Sequence, residues 1–189
     1  MSSRWDEYFL NMAMFTAHMS KDPSTKVGAV LTSKDRTVLS TGYNGFPRNV
    51  IDSEARLNNR EVKLELVVHA EMNAVLAAAR IGTSTRDSVL YVAATDGTHE
   101  VWGGPPCVRC TVECMQAGVV EFVSRPMKLA PSRWYDSIRK AKEIILEAGL
   151  KYREIPLRGE RWCHPDGELA CESHIHNHNQ CRTCPLHGA

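Results

Sequence analysis

His69-Ala70-Glu71-Met72-Asn73-Ala74 and Pro106-Cys107-Val108-Arg109-Cys110 are the two stretches on which the reading of this chain turns. Each opens a segment with a helical pattern. Ala70–Arg80 is rich in Ala, Met and Leu, which favour helix, and Gly82 closes it. Val108–Ala117 follows the first cysteine and stops at Gly118. Working outward, short runs rich in β-branched residues lie between the helices. Val27–Leu31 and Thr37–Tyr43 read as two strands joined by the hairpin Ser33-Lys34-Asp35-Arg36. Ser88–Ala93, Val119–Val123 and Leu150–Ile155 read as three more. Arg4–Ser20 puts Trp5, Tyr8, Phe9, Met12 and Phe15 near helical spacing, and Ser132–Ala148 is a last helix ended by Gly149. Lys21-Asp22-Pro23-Ser24 is a turn, and Asn44-Gly45-Phe46-Pro47 breaks the second strand. Asp52–Leu66 reads as a polar loop with a helical stretch, and Thr95–Pro105 as a Gly/Pro loop. The alternation predicts an α/β fold, a five-stranded sheet sandwiched between helices.

The two motifs differ in information. A His-x-Glu triplet is expected about 0.6 times in a shuffle of this composition, a Pro-Cys-x-x-Cys about 0.01 times. Together, in this order and each at a helix start, they point to one chemistry. A histidine and two cysteines form a three-ligand catalytic zinc set that leaves a fourth position for water. Cys-x-x-Cys at a helix start turns both sulfurs to one point, and the helix N-terminus favours thiolate. Two thiolates and a neutral imidazole offset the charge of Zn2+, and bound water then loses its proton near neutral pH. Glu71, two residues from His69, is placed to hold that proton and hand it to a leaving group. This is the layout of zinc base deaminases, in which water attacks C4 of cytosine or C6 of adenine. Two competing readings use the same cysteines: a redox pair, or half of a structural zinc finger completed by later cysteines. Without the cysteines, His69 and Glu71 would read as a helix-start histidine beside an exposed acid.

Composition narrows the class. The 189 residues carry 23 Lys+Arg against 22 Asp+Glu, a formal net charge of +1, so the basic excess of a nucleic-acid binder is missing. Apolar residues make up 43% and charged residues 24%, as in soluble globular proteins. Apolar runs such as Ala74–Ala79 are far too short to span a bilayer. Met1-Ser2-Ser3-Arg4-Trp5-Asp6-Glu7 has no apolar core of a secretory signal, so the expected location is cytoplasmic. Seven cysteines, an odd number, argue against a closed disulfide framework; metal ligation or buried thiols fit a reducing compartment. The cysteines and histidines are unevenly placed. Residues 157–189 hold nine of the fifteen. That shift predicts a zinc domain over residues 1–156 and a Cys/His-rich tail over 157–189. In the tail, Cys163, Cys171, Cys181 and Cys184 are candidates for a second, structural Zn2+, with a mobile metal-scavenging terminus as the alternative. No internal repeat of solenoid length is present.

Four blocks resemble the cytidine and deoxycytidylate deaminases, and within them the deoxycytidylate (dCMP) group. They are Ser20-Lys21-Asp22-Pro23-Ser24-Thr25-Lys26-Val27-Gly28-Ala29-Val30, Gly42-Tyr43-Asn44-Gly45-Phe46-Pro47-Arg48, His69-Ala70-Glu71-Met72-Asn73-Ala74, and Pro106-Cys107-x-x-Cys110 with Gln116-Ala117-Gly118. The resemblance covers residues 4–155, and the Gly-Tyr-Asn-Gly block is its most diagnostic part. It implies a cytidine-deaminase-like three-layer α/β/α sandwich around a five-stranded mixed sheet. It implies one catalytic Zn2+ on His69, Cys107 and Cys110, with Glu71 as proton shuttle. Asn44 would bond the deoxyribose or seat the base, and the Ala70 backbone would read the base edge. The implied reaction is hydrolysis of dCMP to dUMP and ammonia. A phosphate needs cationic or N–H donors. Lys26, Arg48 and Arg109 are the candidates, with Ser24 and Thr25 as hydroxyl donors.

The resemblance further implies a homo-oligomer, commonly a hexamer, activated by dCTP with Mg2+ and inhibited by dTTP. The Gly42–Arg48 loop would take part in that control. The sequence departs from the family pattern at Asn49, where a glycine is familiar, and in a longer loop over Thr95–Pro105. Trp102 in that loop is a candidate aromatic wall over the base. Other substrates stay open at this point: another cytosine nucleoside or nucleotide such as 5-modified dCMP, or a tRNA adenosine, against which the near-neutral charge speaks. A zinc-stabilised binding module without catalysis is the reading from a different class.

Overall fold

The structure is a computed structural model in which residues 4–96 and 101–156 are described. Helix α1 (Arg4–Ala17) leads into the antiparallel pair β1 (Lys26–Thr32) and β2 (Val38–Tyr43). Two short helices, α2 (Glu54–Asn58) and α3 (Arg60–Leu66), precede α4 (Ala70–Arg80). Then follow β3 (Ser88–Thr95), β4 (Val101–Trp102), α5 (Val108–Gln116), β5 (Val119–Ser124), α6 (Ser132–Glu147) and β6 (Lys151–Glu154).

The main sheet runs in the order β2-β1-β3-β5-β6, with β4 attached to β3. β1 is antiparallel to both β2 and β3, whereas β3, β5 and β6 are parallel, so the sheet is mixed. The parallel pairs need crossovers, and α5 and α6 supply them. All five strands expected from the sequence are present. The addition is β4, which pairs Val101 with Thr95 and Trp102 with Ala94 inside the stretch expected to be a loop. Two residues carry no readable periodicity; this strand exists because the end of β3 offers it a partner. The helical stretch expected in Asp52–Leu66 resolves into two helices. Ser53 accepts a bond from the Arg56 amide at the start of α2, and Asn59 caps α3 through Glu61 and Val62.

Helices cover both faces. Ala70, Ala74 and Ala78 of α4, Cys114 of α5 and Ile145 of α6 pack with Ala29, Leu31, Leu90, Val92 and Phe122. Phe9, Leu10 and Ala13 of α1 pack with Val30, Val89, Tyr91, Ala93 and Val123. Alternate residues of β1 and β3 thus feed opposite layers. That is why both strands read as continuous apolar runs rather than alternating ones. Each fully buried Phe or Leu contributes about 1.5–3 kcal/mol relative to exposure. Small residues set the spacing. A Cβ on Gly42 would lie 2.3 Å from the Ala70 carbonyl oxygen, so β2 can approach the first turn of α4 only with glycine there.

A polar knot joins α1 to the far end of the sheet. Arg125 donates to both carboxylate oxygens of Glu7, at 3.0 and 3.2 Å, and to the Ile155 carbonyl at 3.2 Å. Arg153 donates to both oxygens of Asp6, at 2.8 and 2.9 Å. Tyr91 donates to Asp6; burial, and then the Asp6 charge, pushes the Tyr91 hydroxyl up to about 12. Among the described residues, no helix is long and apolar enough to cross a membrane. The expected boundary near Pro156 and the tail cysteines Cys163, Cys171, Cys181 and Cys184 concern residues outside the described ones.

Candidate active site

The site begins where β2 ends. Asn44 is buried and completes the edge of β1: its Oδ1 accepts from the Val27 amide at 2.8 Å, and its Nδ2 donates to the Thr25 carbonyl at 2.9 Å. One amide hydrogen of Asn44 and further lone-pair capacity stay available. Gly45 and Val68 exchange two backbone bonds, at 3.1 and 2.9 Å, which fastens the residue before His69 beside Asn44. Asn73 donates to the Tyr43 carbonyl at 2.7 Å and holds α4 against the same turn.

His69 is the N-cap of α4 and makes no side-chain cap bond, so its ring is free of the helix. Glu71 sits in the first turn of α4 and is 4% exposed. Cys107 is the N-cap of α5, and Cys110 lies in its first turn. Two helix N-termini therefore meet at one point, and both favour negative charge there. The approach of Cys107 depends on two glycines. The Gly104 amide donates to the Arg125 carbonyl at 2.8 Å. A Cβ on Gly103 would lie 1.9 Å from the Pro126 carbonyl oxygen, and one on Gly104 2.6 Å from Ile138 Cγ2. Ser137 accepts from the Val108 amide at 3.1 Å and ties the start of α5 to α6.

The donor set fits zinc. His69 Nδ1 lies 3.6 Å from Cys107 Sγ and 3.3 Å from Cys110 Sγ. The three ligand atoms all lie within 4.8 Å of one another. Ordinary Zn–S and Zn–N bonds at tetrahedral angles separate N from S by about 3.5 Å. The protons of this cluster are shared. The Cys107 thiol is lowered to about 4, first by its bond from Cys110 and then by His69. His69 is raised to about 9 by its bond to Cys107. Cys110 is pushed up, first by its bond to the charged Cys107 and then by burial. Burial also pushes the Glu71 carboxyl up. Cys114, one turn beyond Cys110 and fully buried, is pushed up by burial and stays a neutral packing thiol.

These groups open onto a cavity of ≈ 430 Å³. Its more buried end is lined by Asn44, Ala70 and Glu71, all buried, with the half-buried His69 and Cys107 beside them. Its exposed end carries Arg60 of α3, Trp102 of β4 and Arg133 of α6.

The family model of the cytidine and deoxycytidylate deaminase zinc-binding region matches residues 3–125. The chain belongs to this family. It is 34% identical over 158 residues to an uncharacterized deaminase in the luxG 3′ region of Aliivibrio fischeri, covering 83% of this chain and 97% of that protein. It is 29% identical over 155 residues to the deoxycytidylate deaminase of Homo sapiens, covering 79% of each. Among solved structures, the dCMP deaminase from the cyanophage S-TIM5 in complex with dCMP and dUMP shares the fold. Its TM-score is 0.61 at 23% identity, with 82% of this chain and 99% of that chain covered.

Not every candidate residue reaches the cavity of this family member. Ser24, Thr25 and Trp102 line it beside the motif residues. Lys26, Arg48 and Arg109 do not. Lys26 donates instead to the Ser20 carbonyl, and Arg109 is largely exposed and pairs with Glu113 at 2.6 Å. Asn49, in place of the familiar glycine, has φ of 67°, the left-handed conformation that glycine and asparagine tolerate, so the turn survives the exchange. Arg60, Lys63, Arg133 and Trp134 line the cavity without any sequence signal having marked them. Lys63 is held by Asp22 at 3.1 Å and by Ser24 Oγ at 3.2 Å.

Proposed function

We propose that the protein hydrolyses dCMP to dUMP and ammonia with zinc as cofactor. The observation that carries this reading is the meeting of His69, Cys107, Cys110 and Glu71 at the buried end of one cavity. The kinship with deoxycytidylate deaminases supports the substrate. His69, Cys107 and Cys110 would hold the metal. Zinc bound by such a set acts as a Lewis acid that brings the pKa of water toward neutrality. Glu71 takes the proton released when water attacks C4 of the base. A carboxyl raised by burial is basic enough to accept it and acidic enough to pass it on. It passes that proton to the departing amino group, which leaves as ammonia while C4 keeps the oxygen. Ala70 opens α4, where the first backbone N–H groups have no partner within the helix. Its amide reads an acceptor on the base edge, and the spare donor of Asn44 meets the deoxyribose.

The test is a mixture of cytidine, deoxycytidine, CMP, dCMP, 5-methyl-dCMP and dCTP followed by mass spectrometry. The expected result is a gain of about one mass unit on dCMP, the exchange of NH2 for OH. Turnover of 5-methyl-dCMP in preference to dCMP would move the substrate within the family. No turnover of any would sink the reading. Glu71→Gln should keep zinc and lose turnover by about 10³-fold or more.

The same proposal includes a homo-oligomer, hexameric by resemblance, with control by dCTP, Mg2+ and dTTP. Sedimentation with and without those nucleotides tests it. The proposal also places the protein in the cytoplasm: among the described residues Cys107, Cys110 and Cys114 form no disulfide, as suits a reducing compartment. Zinc content per chain, compared between the full chain and one ending at Pro156, tests the second metal expected on Cys163, Cys171, Cys181 and Cys184.

A further inference from the structure

We infer that Asn73 and Thr111 are positioning residues for the metal ligands His69 and Cys107, each tying down the carbonyl one residue ahead of its ligand, and that Ser137 completes the tie at Cys107. The inference rests on the zinc reading of the site and adds the side chains that hold its ligands in place.

Both ligands occupy the same kind of position. An N-cap side chain ordinarily turns back and accepts from an amide of the first turn. Ser53 and Asn59 do so at the starts of α2 and α3. His69 and Cys107 make no such bond at the starts of α4 and α5. Their ring and sulfur face each other at 3.6 Å instead, so neither side chain steadies its own helix start.

What replaces the cap is the same at both helices. Asn73 stands four residues after His69 and donates through Nδ2 to the Val68 carbonyl at 3.3 Å. Thr111 stands four residues after Cys107 and donates through Oγ1 to the Pro106 carbonyl at 3.2 Å. The backbone amides of the same two residues donate to the His69 and Cys107 carbonyls, both at 2.9 Å. One residue thus holds two successive carbonyls, on either side of the ligand's Cα. Two fixed peptide planes fix φ and ψ, and with them the direction in which the ligand side chain leaves the backbone. The two ligands share a backbone shape accordingly: φ −67° and ψ 156° at His69, φ −57° and ψ 156° at Cys107. A helical threonine ordinarily returns to a carbonyl three or four residues back, as Thr16 does to Met12 at 2.8 Å. Thr111 is fully buried and reaches five back, past its ligand.

Ser137 closes the other side of Cys107. The Val108 amide is the first donor of α5 without a partner inside the helix. Ser137 Oγ accepts from it at 3.1 Å, the task of an N-cap side chain carried out from α6. Cys107 is therefore bracketed by two hydroxyls, one on the carbonyl before it and one on the amide after it. A ligand held in this way needs little further ordering when the metal arrives.

The test reads metal affinity on the full-length protein, by zinc competition against a chromophoric chelator, with unfolding followed beside it. Thr111→Val keeps the shape and removes the hydroxyl, and should weaken zinc binding about 10-fold. Thr111→Ser should restore most of that loss. Ser137→Ala should weaken binding in the same direction by a smaller factor. Asn73→Ala should weaken it by about 10-fold or more, because it also frees the Tyr43 carbonyl. Thr85→Val is the control for stability, since Thr85 Oγ1 donates to the Ala117 carbonyl at 2.6 Å, at the opposite end of α5. It should lower the unfolding midpoint and leave zinc affinity within about twofold. In cobalt-loaded protein, the sulfur-to-metal absorption should shift in Thr111→Val and Ser137→Ala and stay in place in Thr85→Val.

Zinc affinity unmoved in folded Thr111→Val, or weakened no more than in Thr85→Val at an equal loss of stability, overturns the inference. If Thr111→Val does not fold, Ser137→Ala, at a half-buried position, decides by the same two readouts. None of these readouts needs turnover. If zinc binding weakens as expected but no cytosine compound is turned over, the deaminase reading fails and the positioning stands. If dCMP is turned over but zinc affinity follows stability alone, the positioning fails and the deaminase reading stands. A wild type that takes up no zinc overturns both.

Discussion

The two ends of the cavity are made from different materials. At the buried end, short side chains sit on two helix starts, and the backbone decides where their atoms fall. At the exposed end, long side chains arrive from α3, β4 and α6, three elements with no shared motif. The buried end is fixed by geometry, so a change of a few tenths of an ångström matters there. The exposed end carries charge on long, flexible side chains, so substitutions there should have graded effects.

That contrast can be broken by substitution. Cys107→Ser removes one of three ligand atoms and should abolish metal binding at this site, with turnover down by about 10³-fold or more. Metal analysis beside a rate assay checks it; retained zinc with normal turnover would remove the basis for the buried end. Metal uptake should also weaken toward acid. His69 is raised to about 9 without metal, so the metal must displace its proton, and a lower pH opposes that displacement.

Glu7→Gln tests whether sensitivity belongs to the site or to stability at large. It removes the Glu7 carboxylate charge that faces the buried Arg125 guanidinium at 3.0 Å. The expected loss is about 3–5 kcal/mol in a denaturant titration, with kcat per folded molecule unchanged. A fall in kcat would show that the α1 face and the site are coupled.

Gly103→Ala reaches the buried end through the backbone. Its Cβ meets the Pro126 carbonyl, so the segment before Cys107 must shift. A stability loss of about 1–3 kcal/mol, with about tenfold weaker zinc binding, is expected. Thermal unfolding and metal competition would read both. The smallest effects belong to Arg48→Ala and Arg109→Ala. Neither side chain lines the cavity, so stability should change by no more than about 0.5 kcal/mol, and kcat/KM for dCMP should stay within about twofold. A larger drop in either would show a substrate contact outside the cavity.

The sequence makes the buried end legible because zinc chemistry demands fixed residue types at fixed spacing. A helix start then supplies the geometry. The five main strands are legible for a similar reason: each buries at least one face and shows it in its composition. The exposed end is not. Lys26 follows Ser24 and Thr25 and suggests a phosphate contact by adjacency. Thr25 and Val27 line the cavity, however, and alternation along extended backbone sends the residue between them elsewhere. Arg109 fails in the helical version of the same way: two residues from Cys107, it stands on another side of α5 and pairs with Glu113. Arg60 and Arg133 earn their position only when α3 and α6 are packed, and nothing local announces that.

The knot at the edge of the sheet has a topological consequence. Asp6 and Glu7 are bonded to Arg153 and Arg125, and Arg125 also reaches the Ile155 carbonyl. The beginning and the end of the described fold are therefore neighbours, and residues 4–156 taken by themselves are close to a closed ring. A ring has no privileged opening. A circular permutant joined by a short linker between residues 156 and 4, and opened in the Ser33–Arg36 hairpin, would keep every helix start and every cavity-lining side chain in order.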